Sequence, residues 1–253
     1  MSERAFFDYL LLTWFVLAAA LFFVLFRTTA PYGRHGRSGW GPSMGTRIGW
    51  LVMEAPASLL FFVWFLAGGV AQSATLVVFF LMWQAHYLHR AFIYPFSLDQ
   101  AGVHMPLAVV AMGVGFNSVN TYLNGRYLFT FSGGYATEWM LDPRFMAGVA
   151  LFVAGYVLNR YADHTLRMER IRTGARYCRI DNGIFRYVCC PNYLGELIMW
   201  SGWAVATWSL AGLSFAVWTA ANLLPRGRSH LAWSRTHLHA YPEKRKAVIP
   251  GLW

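Results

Sequence analysis

The sequence predicts an all-α integral membrane protein with seven transmembrane helices, and three observations support this prediction. First, 57% of the 253 residues are hydrophobic and only 13% are charged, whereas a soluble globular protein carries roughly 25% charged residues. Second, several apolar segments reach the length of about 20 residues that a helix needs to cross a bilayer. Third, the charges are uneven, with 21 Lys and Arg against 11 Asp and Glu. Disordered proteins and ordinary water-soluble proteins are excluded.

Six apolar segments account for the seven predicted helices: four have about the length of one span, the fifth is shorter, and the last is about twice as long as one span. The single segments cover residues 6–26, 48–71, 76–92, 103–119 and 145–158. The long segment, 193–224, contains a turn-like sequence at 209–212 and therefore predicts a hairpin of two helices. The first segment is interpreted as a helix and not as a cleaved signal peptide, because its basic flank follows it and no small-residue cleavage site does.

The basic residues indicate which side of the membrane each loop faces, since cytoplasmic loops are enriched in Lys and Arg. Eighteen of the 21 lie in loops 27–47 and 159–192, in the tail from residue 225, and at Arg90. This distribution predicts an amino terminus outside and a carboxyl terminus in the cytoplasm, as an odd number of spans requires. The membrane would be the inner membrane of a bacterium or the endoplasmic reticulum of a eukaryote. With no repeat or linker, residues 1–253 are expected to form a single domain.

Two polar side chains within the predicted spans are candidates for function, because an ionisable group is costly to place in a bilayer. Glu54 lies about two turns into the second span, just before Pro56, and a carboxylic acid in that setting is expected to be neutral and to donate a hydrogen bond. Tyr87 lies toward the end of the third span, and the two could form a buried acid pair. The alternatives are a structural tie for Glu54 and an interfacial aromatic anchor for Tyr87.

A polar stripe follows the fifth span, and a cluster of arginines follows the stripe. Asn159, Asp163, Arg167 and Arg170 recur at spacings of four, four and three, so they share one face of a helix that continues from the span. The arginines continue as far as Arg186, and guanidinium groups suit phosphate oxygens. Anionic lipid or a phosphate-rich cofactor is the expected target, and nucleic acid is not expected on so little soluble surface. A solvated helix face would give the same pattern.

A polar turn and a basic tail contain the remaining candidates. Pro191 and Asn192 are helix-start signals, and Glu196 lies one turn into that helix, where the helix dipole favours its charge. The tail contains His230 and the basic run 241–250, which could also contact lipid head groups. The three cysteines fall on the predicted inner side and predict neither a disulfide framework nor a zinc site.

Together these residues resemble the membrane steroid 5α-reductases, over nearly the whole chain. The resemblance is carried by Trp50, Glu54 and Pro56; His86-Tyr87 with His89-Arg90; Asn120; Asn159, Asp163, Arg167 and Arg170; Arg179; Asn192-Tyr193-Leu194-Gly195-Glu196; and Tyr241-Pro242, Arg245-Lys246-Ala247 and Ile249-Pro250. The element 191–196 alone is less specific. It is also similar to sterol C14-reductases and to isoprenylcysteine carboxyl methyltransferases, which bind S-adenosylmethionine.

The resemblance implies a seven-helix enzyme that uses NADPH to reduce the 4,5 double bond of a 3-oxo-Δ4 steroid, such as testosterone or progesterone, by hydride transfer to C5. It implies that Glu54 and Tyr87 are catalytic and bind the 3-oxo group, with Trp50 also in the substrate site. The cofactor-binding residues that it implies are Asn120, Asn159, Asp163, Arg167, Arg170, Arg179, Asn192, Glu196, Arg226, His230 and Arg245. It implies that the protein contacts membrane lipid, and it implies neither a metal ion nor an obligatory protein partner.

Some positions depart from the family pattern, and other classes of protein stay open. The departures are residues 97–101, the pair Cys189-Cys190, and Ser234 in place of an aromatic residue. No Gly-x-Gly-x-x-Gly follows a predicted strand, so a nucleotide would not be bound in a Rossmann site. The alternatives are a membrane methyltransferase that uses S-adenosylmethionine, a sterol reductase acting on another double bond, and a lipid-binding protein without catalytic activity.

Overall fold

The computed structural model describes residues 1–37, 39–69, 73–97 and 102–253, which are mostly helical. The helices are α1 (Glu3–Arg27), α2 (Thr46–Leu66), α3 (Ala74–Leu88), the short α4 (Tyr94–Ser97), α5 (Leu107–Arg126), α6 (Pro143–Thr173), α7 (Pro191–Thr207) and α8 (Leu210–His237), and the strands are β1 (Ser43–Gly45) and β2 (His104–Pro106). A π-helical turn, His89–Ile93, joins α3 to α4, so the helix continues to Ser97.

A helix occupies each of the seven predicted spans, and the predicted hairpin is confirmed at the break between α7 and α8. Among the described residues, four helices are long and apolar enough to cross a membrane: α1, α2, α3 continued through α4, and α6. Of the others, α7 has 17 residues, and α5 and α8 contain amide or basic side chains that lower their hydropathy. Seven spans and the orientation of the termini therefore stay predictions. The predicted end of the second span at Ala71 lies outside the described residues.

The all-α prediction misses one small element of sheet. Strands β1 and β2 pair antiparallel, with Met44 opposite Met105, and each strand leads directly into a helix. Three-residue strands are too short to show an alternating hydrophobic pattern, which is the signal that identifies a strand in a sequence. The chain divides into two compact units, Met1–Leu11 with Ala30–Asp142 and Leu12–Thr29 with Pro143–Trp253. The expected single domain stays a prediction.

In the first unit, α2 packs against α5 at glycines that receive large side chains. A Cβ atom on Gly113 would lie 2.1 Å from Cγ of Met53, and one on Gly125 would lie 2.8 Å from Cδ1 of Trp64. Helix α3 is held to α2 by Trp83, whose ring stacks on Phe61 and whose indole N–H donates to the carbonyl of Ala57 at 2.8 Å. The α2 turn that contains Glu54 is therefore packed on two sides.

In the second unit, α6 and α7 approach so closely that their backbones meet at glycines. A Cβ atom on Gly155 would lie 2.3 Å from the backbone nitrogen of Met199, and one on Gly202 would lie 2.4 Å from that of Phe152. Gly148 and Gly195 make the same kind of contact, so each helix presents two glycines seven residues apart. Small residues at the contact are typical of closely packed membrane helices.

The carboxyl-terminal tail is attached to the segment that precedes α7. Val188 and Lys246 form a parallel bridge, and the backbone N–H groups of Cys189 and Cys190 donate to the carbonyls of Lys246 and Ala247 at 2.8 and 2.9 Å. These bonds fix the tail beside the start of α7.

The glycine contacts predict that a side chain at Gly155 would destabilise the second unit. We expect Gly155→Ala to lower the free energy of unfolding by on the order of 2 kcal/mol, because the new methyl group would overlap backbone atoms that cannot move independently. Thermal unfolding of the detergent-purified protein measures the change.

The matched control is Gly115→Ala, where a Cβ atom would meet no atom within 4 Å on another helix. Because alanine is the better helix former, this variant should be neutral or more stable by up to about 1 kcal/mol. Equal stability of the two variants would contradict the role assigned to close helix packing.

Candidate active site

The first candidate group surrounds Glu54, which is buried on α2. The side-chain amide of Asn117, on α5, donates to Oε2 of Glu54 at 3.2 Å and to the carbonyl of Met53 at 2.7 Å. The other carboxyl oxygen, Oε1, lies 3.6 Å from Nε of Arg90. Both of these contacts present a donor to the carboxyl group, which therefore acts as an acceptor in this arrangement.

Arg90 links the carboxyl group to an aromatic wall. Its guanidinium carbon lies 4.6 Å from the ring centroid of Trp50 and 4.8 Å from that of Tyr94. Trp50 and Glu54 are four residues apart and share one face of α2, so a single arginine can contact both. Electron-rich rings stabilise a guanidinium group that is largely removed from water. Trp50, which the family resemblance implies for substrate binding, therefore lies beside Glu54.

Tyr87 is buried on α3, with 3% of its surface exposed. Its ring packs 5.0 Å from Trp83 and 5.0 Å from His86, between centroids. Trp83 in turn donates to Ala57, one turn beyond Glu54 on α2. Tyr87 and Glu54 thus lie on adjacent, packed helices of one unit.

A row of buried polar residues runs along α5 beside Asn117. Asn120, Thr121 and Asn124 are all nearly inaccessible to solvent, and Asn124 donates to the backbone carbonyl and the side-chain oxygen of Asn120. The Nδ2 atom of Asn120 is buried and has no hydrogen-bond partner among the described residues. Asn120, an implied cofactor residue, therefore belongs to the first unit, where its amide donor is available to a ligand.

The second candidate group lies where α6 and α7 meet. Asn159 donates from Nδ2 to the carbonyl of Asn192 at 3.1 Å and to Oε1 of Glu196 at 3.4 Å, and Asn192 donates to Oδ1 of Asp163 at 3.2 Å. A Cβ atom on Gly195 would lie 2.5 Å from the backbone nitrogen of Asn159, so the close helix approach produces this network. Four of the implied cofactor residues are brought together here.

Tyr193 connects two further implied residues, both on α8. Its hydroxyl lies 2.9 Å from Nε2 of His230 and accepts a hydrogen bond from Nε of Arg226 at 3.2 Å. Arg226 and His230 are one helical turn apart and both are buried. A phenol can accept from the arginine while it donates to the histidine, so one hydroxyl contacts both groups.

Asp181 connects Arg179 and Arg245, which are also implied cofactor residues. Its Oδ2 lies 2.7 Å from Nε of Arg179, and its Oδ1 accepts from Nη2 of Arg245 at 2.7 Å. The guanidinium group of Arg245 also lies 4.7 Å from the ring centroid of Tyr241. Burial, with a smaller contribution from Cys189, raises the pKa of the Tyr241 phenol, which therefore stays neutral beside the arginine.

The two remaining arginines of the stripe lie on the last turns of α6, as the sequence predicts. Arg167 is exposed, and Arg170 is partly buried with an Nε atom that has no hydrogen-bond partner in the described part of the chain. The described cofactor candidates are therefore rich in arginine donors and amides, with few carboxylates. Such a set suits a polyanionic ligand that also carries amide and hydroxyl groups.

Four residues in these groups were not assigned a role from the sequence: Arg90, Asn117, Asp181 and Tyr193. Arg90 and Tyr193 lie inside motifs that carry the family resemblance, so the sequence could have indicated that both belong to the site. Asn117 precedes Asn120 and Asn124 at helical spacing, and such a polar row in an apolar helix also indicates a buried site. Nothing in the sequence distinguishes Asp181 from an ordinary exposed acid.

Comparison with known proteins identifies the family. The family model described as 3-oxo-5-alpha-steroid 4-dehydrogenase matches residues 103–253. The chain belongs to this family. A steroid 5-alpha-reductase of Arabidopsis thaliana is 37% identical over 260 residues, covering 100% of this chain and 99% of that protein. The human 3-oxo-5-alpha-steroid 4-dehydrogenase 1 is 35% identical over 229 residues, covering 90% of this chain and 88% of that protein.

Membership of the 3-oxo-5-alpha-steroid 4-dehydrogenase family confirms the resemblance found in the sequence. The matched region 103–253 contains α5 and all of α6, α7 and α8, and therefore every implied cofactor residue. The plant relatives align over the whole chain, which includes the α2 and α3 residues around Glu54. The chain is an oxidoreductase of this family with helices suited to a membrane.

The structure describes several of the positions that depart from the family pattern. Cys189 lies beside Ser234, with Sγ and Oγ 3.7 Å apart, so the two unusual residues contact each other at the base of the tail. Ser97 ends α4, whereas residues 98–101 lie outside the described residues.

The Tyr193 contacts predict a measurable loss of stability on removal of one hydroxyl. We expect Tyr193→Phe to lower the free energy of unfolding by about 1–3 kcal/mol, because a buried arginine and a buried histidine each lose a hydrogen-bond partner. Thermal or denaturant unfolding of the purified protein measures the loss. Tyr187→Phe is the control, since Tyr187 is exposed; a comparable loss in this variant would contradict the prediction.

Proposed function

We propose that this protein catalyses the NADPH-dependent reduction of the 4,5 double bond of 3-oxo-Δ4 steroids, such as testosterone or progesterone, to 5α-reduced products. The observation that carries the proposal is the family match together with relatives aligned over nearly their whole length. Supporting it are two buried polar groups, one beside an aromatic wall and one rich in arginine and amide donors. The first suits an apolar ketone, and the second suits a nucleotide.

The chemistry requires that an enone oxygen be stabilised as it gains negative charge. Hydride adds to the β carbon of an enone, and the electrons of the double bond then move onto the carbonyl oxygen. Hydrogen-bond donors placed at that oxygen lower the barrier, and the effect is largest where water is excluded. Glu54 and Tyr87 are buried acids on packed helices, and we propose that both donate to the 3-oxo group. A proton then reaches C4, and the 4,5 bond becomes single.

The surroundings of Glu54 add a requirement to this mechanism. Oε2 accepts a hydrogen bond from Asn117, and Oε1 faces Arg90. Oε2 accepts a hydrogen bond, whereas the 3.6 Å between Oε1 and Nε of Arg90 is longer than one, so the proton that Glu54 donates to the substrate would reside on Oε1. Asn117 would orient the carboxyl group for this role, and Arg90 would add positive charge near the developing enolate. The aromatic rings of Trp50 and Tyr94 would keep water from the guanidinium group.

The second group fits the proposed cofactor in its donor chemistry. Arginines supply the bidentate donors that phosphate oxygens take up, and Nε of Arg170 and Nε of Arg245 are buried without a hydrogen-bond partner among the described residues. The amides of Asn159 and Asn192 and the carboxylate of Glu196 suit the amide and hydroxyl groups of a dinucleotide. When bound, a reduced nicotinamide supplies the hydride that the steroid accepts.

The proposed topology follows from the apolar segments and from the distribution of Lys and Arg in the sequence. We propose seven spans with the amino terminus outside and the carboxyl terminus in the cytoplasm, since that arrangement places 18 of 21 basic residues on the inner side. The arginines of the α6 extension and of the tail would then face the cytoplasm. A soluble dinucleotide is supplied on that side, while a steroid enters from the lipid.

Glu54 variants test the proposed roles in catalysis. We expect Glu54→Ala and Tyr87→Phe each to lower kcat/KM by about 10²-fold or more, since each removes a donor to the developing enolate. Glu54→Gln keeps one N–H donor and should retain more activity than Glu54→Ala. Progesterone reduction by detergent-purified protein with NADPH is the assay. Wild-type turnover by Glu54→Ala would end this mechanism.

Arg170 tests the cofactor assignment and separates it from a methyltransferase. We expect Arg170→Ala to raise the apparent KM for NADPH by about tenfold with little change in the KM for steroid, because a charge-assisted hydrogen bond to an anion is lost. Arg172→Ala is the control, since Arg172 pairs with Glu169 on the exposed face of the same helix. Direct titration of the wild-type protein with NADPH and with S-adenosylmethionine completes the experiment. Binding of S-adenosylmethionine without binding of NADPH would favour the methyltransferase alternative.

A further inference from the structure

One carboxylate of the protein already occupies the arginines that are expected to bind phosphate. Asp181 lies between Arg179 and Arg245, with one oxygen 2.7 Å from each guanidinium group. The two arginines thus hold an anion in the manner in which they would hold a phosphate.

The two arginines are held in place independently of Asp181. Arg179 donates from Nη1 to the backbone carbonyls of His239 and Ala240 at 3.1 and 2.6 Å. Arg245 is buried, with 3% of its surface exposed, and its guanidinium carbon lies 4.7 Å from the ring centroid of Tyr241. The guanidinium groups would therefore keep their positions if the carboxylate moved away.

Asp181 differs from the arginines in its freedom to move. Its side chain is 47% exposed, and it lies in an irregular segment between the end of α6 and the turn Gly183–Arg186. An exposed carboxylate exchanges easily between a protein partner and water, since a surface ion pair contributes little to stability. A buried arginine left without any anion, in contrast, strongly destabilises the folded protein, because its charge is then uncompensated.

We propose that Asp181 is an intramolecular competitor for the anionic group of the nucleotide, which must leave Arg179 and Arg245 before a phosphate can bind them. The proposal rests on the proposed function, because that function assigns these arginines to a nucleotide. Asp181 neutralises the buried Arg245 when no ligand is bound, and it lowers the affinity for phosphate by the strength of its own ion pairs. A phosphate carries more charge and more acceptor oxygens than a carboxylate, so it displaces the aspartate when it arrives.

The competition predicts that removal of the Asp181 charge tightens anion binding. We expect Asp181→Asn to lower the Kd for NADPH and the Kd for inorganic pyrophosphate by about tenfold each, as measured by calorimetry on the detergent-purified full-length protein at an ionic strength of about 0.1 M. Glu243→Gln is the matched control, because it removes one negative charge at an exposed position of the carboxyl-terminal tail. This control should change neither Kd by more than about twofold, since general charge effects are screened within about 10 Å.

A second pair of variants separates charge from folding. Asp181→Glu keeps the carboxylate and should stay within about twofold of wild type, whereas Asp181→Ser removes the charge with a different side chain and should behave as Asp181→Asn does. Thermal unfolding identifies variants that fold, so Asp181→Ser serves if Asp181→Asn does not.

The outcomes distinguish this inference from the proposed function. Unchanged binding in the uncharged variants, an equal gain in Glu243→Gln, or a tenfold gain in Asp181→Glu would each overturn the competitor role, while NADPH binding by wild type would leave the proposed function standing. If NADPH bound no variant but pyrophosphate bound Asp181→Asn more tightly than wild type, the proposed function would fail and the competition would stand. Absence of pyrophosphate binding in every variant would overturn the inference.

Discussion

The contact on which the second unit depends is the close approach of α6 and α7 at their glycines. At Gly155 and Gly195 the backbones are so near that a methyl group would overlap main-chain atoms of the other helix. In lipid, helices gain little by burying apolar side chains against each other, so close backbone packing and polar contacts hold them together. The same approach lets short amides reach across: Asn159 contacts Asn192 and Glu196 because no side chain separates the helices. The packing of the unit and its candidate site therefore have one cause.

The buried polar groups share hydrogen-bond and ion-pair partners. Glu54 is approached by Asn117 and Arg90, one hydroxyl of Tyr193 serves both Arg226 and His230, and one carboxylate of Asp181 serves two arginines. Burial of an isolated charge is costly, so each cation or carboxylate in a largely apolar protein needs a neighbour of complementary character. The proposed chemistry uses the same neighbours, because a group that stabilises a buried carboxyl can also stabilise charge on a substrate. Asp181 follows the same rule, because its carboxylate lies between two arginines.

Much of the architecture could be predicted from the order of apolar and polar residues. The helix positions, the hairpin between α7 and α8, and the extension of α6 beyond the fifth apolar segment agree with the structure, because each depends on local hydrophobicity and helical spacing. The strands β1 and β2 could not be predicted, since their pairing joins segments about 60 residues apart in the chain with no pattern of their own. The spacing of Asn159 and Asp163 predicts that they share a helix face, but only the family resemblance links them to residues of α7.

The amino-acid order alone identifies the class of the protein, its helices, its charge asymmetry and, through the spacing of dispersed residues, its family. These properties depend on composition and on short-range order, which are present in the chain before it folds. The folded structure is needed to see which polar groups meet: that Glu54 lies between Asn117 and Arg90, that Tyr193 bridges Arg226 and His230, and that Asp181 joins Arg179 to Arg245. Such pairings require helix faces and loops to be brought together over large separations, and close packing, not local propensity, selects among the possible partners.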